Sequence, residues 1–321
     1  MNRTPFRSPR HTRGAALLIA MSLLVLVSTL AAGMVWQQNR AIQVEAAERA
    51  RTQSAWILNG ALDWARLILR EDARSGGPTA LSEPWATPLA EARLSTFLAA
   101  DKDHNTEEGG PDAFLSGVIF DLQARYNLRN LVDANKVVPS EFLTLQKLCE
   151  AANAPADTAA RIAEGLRAAW SSGEPQAGAT PIAPRTVAQL AWFGIEPAVL
   201  ERLEAFVVLL PVRTTVNLNT ADVEVIVAVS PGLDPGAAQA IVQARQRAAF
   251  RNLSAANQVL GSPTPSPLTS KNVGTQSNYF EVRGKLRLDD RALEERSVVE
   301  RRGLDVVTIL RERVASVLVD R

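Results

Sequence analysis

Histidine and cysteine are nearly missing from this chain of 321 residues, which has two of the former and one of the latter. Cys149 has no partner for an intramolecular disulfide, and its solitude excludes any multi-cysteine metal site. The histidines stand at 11 and 104, so a His-rich zinc centre is excluded as well. A Ser-His-Asp triad would have to use His104, which lies among acids, glycines and asparagine. Serines and carboxylates are plentiful, but none stands in a recognisable nucleophile motif, and the chain is expected not to be an enzyme. A surplus of either charge is also lacking: 35 basic residues meet 34 acidic ones, a net +1. That balance argues against a polyanion-binding protein. Length sets the remaining bound, at about two domains with a real core.

Two local absences say more than the global ones. Ala15 to Trp36 contains no charged residue, and Gly14 to Asp72 contains no proline. Twenty-two helical residues reach about 33 Å at 1.5 Å each, enough to cross a hydrocarbon core of about 30 Å. The leader in front of them, MNRTPFRSPRHTRG, carries four arginines and no acid. By the positive-inside rule this end is cytoplasmic and everything beyond Trp36 is exported. Removing the leader leaves 31 basic and 34 acidic residues, so the exported protein is mildly acidic at −3. The helical pattern then continues. QQNRAIQVEAAERARTQSAWILNGALDWARLILRED is rich in strong helix formers. Ala47, Ala50, Ser54, Ile57, Ala61, Ala65 and Ile68 recur at three- and four-residue steps, predicting one stripe. The whole reads as one helix of roughly 55 residues, about 80 Å long. Trp36 reads as an interfacial anchor, and Trp56 and Trp64 as packing residues. A secretory signal peptide cleaved after Thr29-Leu30-Ala31 is the competing reading of the same segment.

A basic leader ending in glycine, followed by small and apolar residues and one long half-buried helix, resembles the N-terminus of type IV prepilins and type II secretion pseudopilins. The resemblance implies cleavage by a prepilin peptidase between Gly14 and Ala15 and N-methylation of Ala15. A side-chain-free Gly14 suits close approach of the protease to the backbone. Most pilins carry glutamate at the fifth mature position, and this chain has Ile19. That departure fits the minor pseudopilin K (GspK) subfamily better than a major filament subunit.

Beyond the helix, residues 117–132 (GVIFDLQARYNLRNLV) read as a strand with Val118, Phe120 and Leu122 on one face and Asp121, Gln123 and Arg125 on the other. Short helices broken by proline and glycine are expected from 139 to about 210. Phe142, Leu145, Leu148 and Cys149 mark one; Ile162, Leu166, Ala169 and Trp170 the next; Leu200, Leu203, Phe206 and Leu210 a third. After a proline-rich break at 262–274, three strand candidates close the chain, with 289–295 as a turn between the first two. The expected fold class is α+β: a long N-terminal helix packed on an antiparallel sheet, pseudopilin-like, with an inserted all-α (SAM-like, helix-hairpin-helix) domain. The division is a leader at 1–14, a transmembrane helix at 15–36, and a pseudopilin helix, loop and first strands at 37–132. The inserted all-α domain follows at 133–261 and the closing strands at 262–321. Three segments are similar to pseudopilin K signatures in order along the chain: GVIFDLQARYNLRNLV, LPVRTTVNLNTADVEVIVAV, and SNYFEVRGKLRL with RSVVER.

The family resemblance implies a non-enzymatic, single-pass inner-membrane protein with a periplasmic head. It would act at the tip of the pseudopilus, initiating or capping assembly for export across the outer membrane. Implied partners are the I- and J-type minor pseudopilins, the major pseudopilin, the prepilin peptidase and the inner-membrane assembly platform. The alternative is a membrane-anchored DNA receptor, because residues 216–250 also resemble a helix-hairpin-helix. There Thr220 is the expected N-cap of a first helix and Ala237–Arg247 form the second. Asp234 replaces the usual second hairpin glycine and would face a phosphate, while Arg213, Arg245, Arg247 and Arg251 barely outnumber the local acids. Nucleic acid is therefore not an expected partner.

No cofactor is required by this reading, and calcium is the one candidate. Asp101, Asp103, Asn105, Glu107 and Asp112 hold positions 1, 3, 5, 7 and 12 of a calcium-loop spacing. Thr106 replaces the turn glycine, and Asp112 reaches less far than the usual glutamate, so a solvated acidic loop is the rival. The pseudopilin K resemblance implies calcium without assigning these residues. Millimolar calcium is expected to raise the protein's melting temperature, and Asp101→Ala with Asp103→Ala to abolish the shift. An unchanged melting curve removes the metal from the account.

Overall fold

The computed structural model describes residues 13–94, 113–171, 182–288 and 291–314. The chain divides into two units, Met1–Ile57 and Leu58–Arg321, and helix α1 (Arg13–Ser75) contributes to both. Within the first unit α1 changes character at Trp36. Before it, the leucines, valines and methionines from Leu17 onward are exposed all round. Among the described residues α1 is the one helix long and apolar enough to cross a membrane. Beyond it the surface is ionic: Arg40 lies 5.8 Å over the Trp36 ring, and Glu45–Arg49 and Glu48–Arg51 pair at 2.5 and 3.2 Å. Such exposed pairs contribute about 0.3–0.5 kcal/mol each, so they favour the helix without fixing it. Trp56 is 72% exposed and Trp64 51%, so neither is the packing residue that the sequence suggested.

In the second unit five strands form an antiparallel sheet. They are β1 (Leu89–Arg93), β2 (Ala113–Asp121), β9 (Tyr279–Leu288), β10 (Arg291–Arg302) and β11 (Asp305–Val314), in spatial order 1-2-9-10-11. The numbers 3 to 8 belong to two-residue strands of the segment between β2 and β9. Residues 291–295, part of the expected turn at 289–295, belong to β10, where Arg291 already pairs with Leu288; 289–290 lie outside the described residues.

One sheet face buries the second half of α1. Leu62, Ala65 and Leu69 meet Ile119, Phe280, Val282, Val299 and Val306. Trp85 closes this core edge-to-face against Phe280, at 5.3 Å and 68°. The buried stripe runs through Leu58, Leu62, Ala65 and Leu69, so the predicted Ala61 and Ile68 lie at its margin instead of its centre. Gly284 makes room for the helix, since a Cβ there would stand 3.2 Å from Leu58 Cδ2. Polar bolts flank the apolar contact. Arg301 pairs with Asp72 at 2.6 Å where both are almost buried, and Arg66 donates to the Val306 carbonyl at 2.7 Å.

The segment between β2 and β9 is mainly helical: α2 (Pro139–Ala151), α3 (Thr158–Ala169), α4 (Pro197–Leu203), α5 (Val223–Val229), α6 (Pro235–Arg247) and α7 (Leu253–Val259). Proline opens α2, α4 and α6, where its fixed φ suits the first turn and its missing N–H is no loss. Phe206 and Leu210 follow α4 instead of extending it. The parallel pairs β3 (Tyr126–Asn127) with β6 (Val207–Val208) and β7 (Val216–Asn217) with β8 (Val273–Gly274) tie the segment together, beside the hairpin of β4 (Val132–Asp133) and β5 (Lys136–Val137). Its core extends from Tyr126 to Val273, beginning before and ending after the expected 133–261. Leu122, Val208 and Leu210 pack with Tyr279 and Val298 on the sheet face opposite α1.

Leu69 is 0% exposed at the centre of the helix–sheet core. Leu69→Ala is expected to cost about 2–5 kcal/mol in urea unfolding, while Trp64→Ala on the exposed face stays within about 0.5 kcal/mol.

Candidate functional site

The predicted strand at 117–132 ends early, and the reason is Asp121. β2 stops there, a 3₁₀ turn follows at Leu122–Ala124, and a second at Leu128–Leu131. Asp121, expected on the polar face, is 5% exposed. The hydroxyls of Thr220 and Ser277 each donate to its Oδ2 at 2.6 Å, and Asn217 Nδ2 donates to the same oxygen at 3.0 Å. The Gln123 backbone N–H donates to Oδ1 at 2.8 Å. Asn217 Nδ2 also reaches the Thr79 carbonyl at 3.0 Å. One carboxylate thus joins the end of β2, the 216–221 turn, the start of β9 and the stretch after α1. Burial pushes its pKa up, and the four donated hydrogen bonds oppose that rise.

Asparagines extend the same device. Asn127, 0% exposed, accepts from the Leu210 N–H at 3.1 Å and donates to the Val212 carbonyl at 2.7 Å. Asn219 receives the Phe250 N–H and donates to the Phe250 carbonyl, at 2.8 and 3.0 Å. Side chains here satisfy backbone groups that no helix or sheet reaches, as burial demands. With its carboxylate enclosed and its hydroxyls already donating, the Asp121 cluster is a structural clamp and not a reaction centre.

The helix-hairpin-helix likeness resolves differently from the expectation. Thr220 does not cap α5, because its hydroxyl is spent on Asp121, and Asp222 holds the N-cap position. Gly232 turns the hairpin at φ +83°, a conformation that suits glycine. Asp234 caps α6, its carboxylate accepting the Ala237 N–H at 3.0 Å. Arg245 points inward to the Leu218 carbonyl at 2.6 Å, and Arg213 pairs with Asp133 at 3.3 Å. Two of the four local arginines are thereby engaged within the protein, which leaves less charge for a polyanion.

A family model described as "Type II secretion system (T2SS), protein K" matches residues 216–276, the stretch that contains Asn217, Thr220 and the hairpin. The type II secretion system protein K of Pseudomonas aeruginosa is 29% identical over 310 residues, covering 88% of this chain and 86% of its own. That of Pectobacterium carotovorum subsp. carotovorum is 25% identical over 331 residues, covering 94% and 96%. The chain is thus similar to type II secretion system protein K over this segment and, at 25–29% identity, over most of its length. The fold is similar to a chain in the crystal structure of the GspK-GspI-GspJ complex from enterotoxigenic Escherichia coli. The TM-score is 0.62 at 18% identity, covering 84% of this chain and 98% of that one. The protein K fold therefore accounts for the sequence readings of a long helix on an antiparallel sheet, and its family segment is the one that also resembled a DNA-binding hairpin.

Of the residues singled out in the sequence, Gly14 and Ala15 fall in the first turn of α1. Asp101, Asp103, Asn105, Glu107 and Asp112 lie outside the described residues. Among the described residues no group of three or more His, Cys, Asp or Glu side chains could hold a metal. Cys149 is buried, and that burial pushes its thiol up to about 12, which keeps it protonated and unreactive. Sequence reasoning missed Asp121 and Ser277. The available signal was a cluster of small polar residues, VNLNTA, set inside an otherwise apolar stretch.

Because the folded pKa of Asp121 is raised, the folded protein binds a proton that the unfolded chain releases over the window above the ordinary carboxylate value. The contribution of this group is thus present at low pH and is lost as pH rises through the folded pKa. Asp121→Asn is expected to remove that slope from urea unfolding measured across weakly acidic to neutral pH. At neutral pH it should also cost about 1–3 kcal/mol, because an amide NH₂ would face donors.

Proposed function

We propose that the protein is a minor pseudopilin of the type II secretion system, non-enzymatic, and processed between Gly14 and Ala15 by a prepilin peptidase that also N-methylates Ala15. The carrying observation is the exposed, charge-free run from Ala15 to Trp36 behind a basic leader. Exposed apolar surface all round a helix has no stable place in water, whereas a bilayer or a bundle of like helices satisfies it. The four leader arginines favour a cytoplasmic N-terminus and a periplasmic head in the inner membrane.

By the same reading, α1 packs beside the N-terminal helices of the I- and J-type minor pseudopilins and then of the major pseudopilin, on the inner-membrane assembly platform. The relative of similar fold was crystallised with GspI and GspJ, which supports the choice of partners. The helical segment between β2 and β9 makes the head bulky and hard to repeat along a filament. A tip position, where nothing stacks above it, accommodates that bulk and suits an initiating or capping role. Ile19 stands where a carboxylate would pair with a neighbour's new amino terminus, which suits a subunit with no other subunit ahead of it.

Mass spectrometry of the protein from its native host tests the processing. The expected species begins at N-methylated Ala15, and Gly14→Leu should leave the leader attached. A mature protein beginning at Ala32 would return the N-terminus to an ordinary signal peptide.

A further inference from the structure

Beside the seam between the helical segment and the sheet lies a cavity of about 370 Å³, within the size range of small-ligand sites. Its apolar wall includes Leu122, Val208, Leu210, Val298 and Leu310. Its polar wall carries five arginines and four glutamates, one net positive charge. Most of these charges are already matched. Glu281, 0% exposed, is held by Arg283 and, at 2.7 Å, by Arg296, which also reaches Glu204 at 2.9 Å. Glu300 pairs with Arg302 at 2.6 Å. Glu312 is the one lining carboxylate without an ion pair among the described residues.

Among the described residues, three lining arginines have no carboxylate within ion-pair distance: Arg125, Arg129 and Arg185. Arg129 stacks on Trp170 at 4.5 Å and makes one long bond, 3.5 Å, to the Val132 carbonyl. Arg125 is half-buried, and among the described residues no hydrogen bond reaches its guanidinium. Burial pushes its pKa down, and the more distant Glu281 and Glu204 oppose that only through space. A desolvated guanidinium with a free donor fork is an incomplete site, since such a group normally engages a carboxylate bidentately.

We propose that this cavity binds a carboxylate on a short branched apolar stem, with the anion on Arg125 beside Arg129 and the stem against Leu122, Val208 and Val298. The charge of the lining selects the class. Glu204, Glu281, Glu300 and Glu312 stand in the same lining, so a monoanion on Arg125 meets less repulsion than a phosphate dianion or a polyanion would. The apolar wall gives a stem of four or five carbons a place out of water. Two sources carry this chemistry, a free branched-chain carboxylic acid and the C-terminal carboxylate of a peptide ending in leucine. The site does not rest on the assembly role, because binding is read on the purified protein.

The test uses the full chain in lipid nanodiscs, followed by ligand-observed NMR and calorimetry. The probes are 4-methylpentanoate and N-acetyl-Gly-Leu with a free C-terminus, each against its own amide. At least one acid is expected to bind about tenfold more tightly than its amide, and Arg125→Gln to weaken that acid about tenfold while leaving the amide unchanged. Arg185→Gln, at an exposed position, should reduce acid binding without touching the fold. Preference for the free acid, or for the peptide, identifies the source. Equal binding of acid and amide in the unsubstituted protein overturns the proposal. So does no binding of either acid up to about 10 mM, or a folded Arg125→Gln protein of unchanged affinity.

Discussion

The buried carboxylate of Asp121 is the point on which the head of this protein depends. β2 and β9 are neighbours in the sheet, yet residues 122–278 intervene between them. Bringing the two ends of so long a segment together costs several kcal/mol of chain entropy, a cost that grows only slowly with length. Asp121 and Phe280 are paired in the ladder, and immediately beyond them Ser277, Asn217 and Thr220 close on the same carboxylate. The long segment is thereby anchored at its exit, its middle and its return by one group. A carboxyl group in such a place is tolerable because each oxygen accepts hydrogen bonds, and removing Asp121 would leave its buried donors without a mate.

The second constraint is the shared helix. α1 gives its first residues to solvent or lipid and its last to the sheet, so a single element must be apolar all round at one end and one-sided at the other. The sheet adapts to it: Gly284 opens a notch for Leu58, and Arg301 draws Asp72 down beside the apolar contact. The other sheet face carries the array of Glu281, Arg283 and Arg296 and receives the helical segment through Leu122, Val208 and Leu210. Helix on one face and helical block on the other leave β1 and β11 as the only sheet edges among the described strands.

The segment that the family model matches holds two of the clamp residues, Asn217 and Thr220, together with the hairpin. Asn217 and Arg245 donate to the protein's own backbone carbonyls, and Thr220 donates to the Asp121 carboxylate. A short sequence with the outline of a phosphate-binding hairpin is, in this setting, an internal fastener. The difference lies in Asp234, which caps a helix N-terminus that an anion would otherwise occupy, and in where the arginines point.

Much of this was legible from residues alone. A charge-free, proline-free run behind four arginines fixes a long apolar helix, because length and hydropathy suffice to state what a bilayer accepts. Alternation in the closing residues marks strands, and the three- to four-residue spacing marks α2 and α3, because each element buries one face. The exact stripe on α1, the end of β2 at Asp121 and the absorption of 291–295 into β10 were not legible in this way. Each depends on a partner far along the chain: Leu58 on Gly284, Asp121 on Ser277, Arg291 on Leu288. Sequence by itself determined which surfaces must leave water, since that is a property of the residues. Tertiary structure alone decided which polar groups could follow them inside, since a buried charge is stable only where distant donors converge on it.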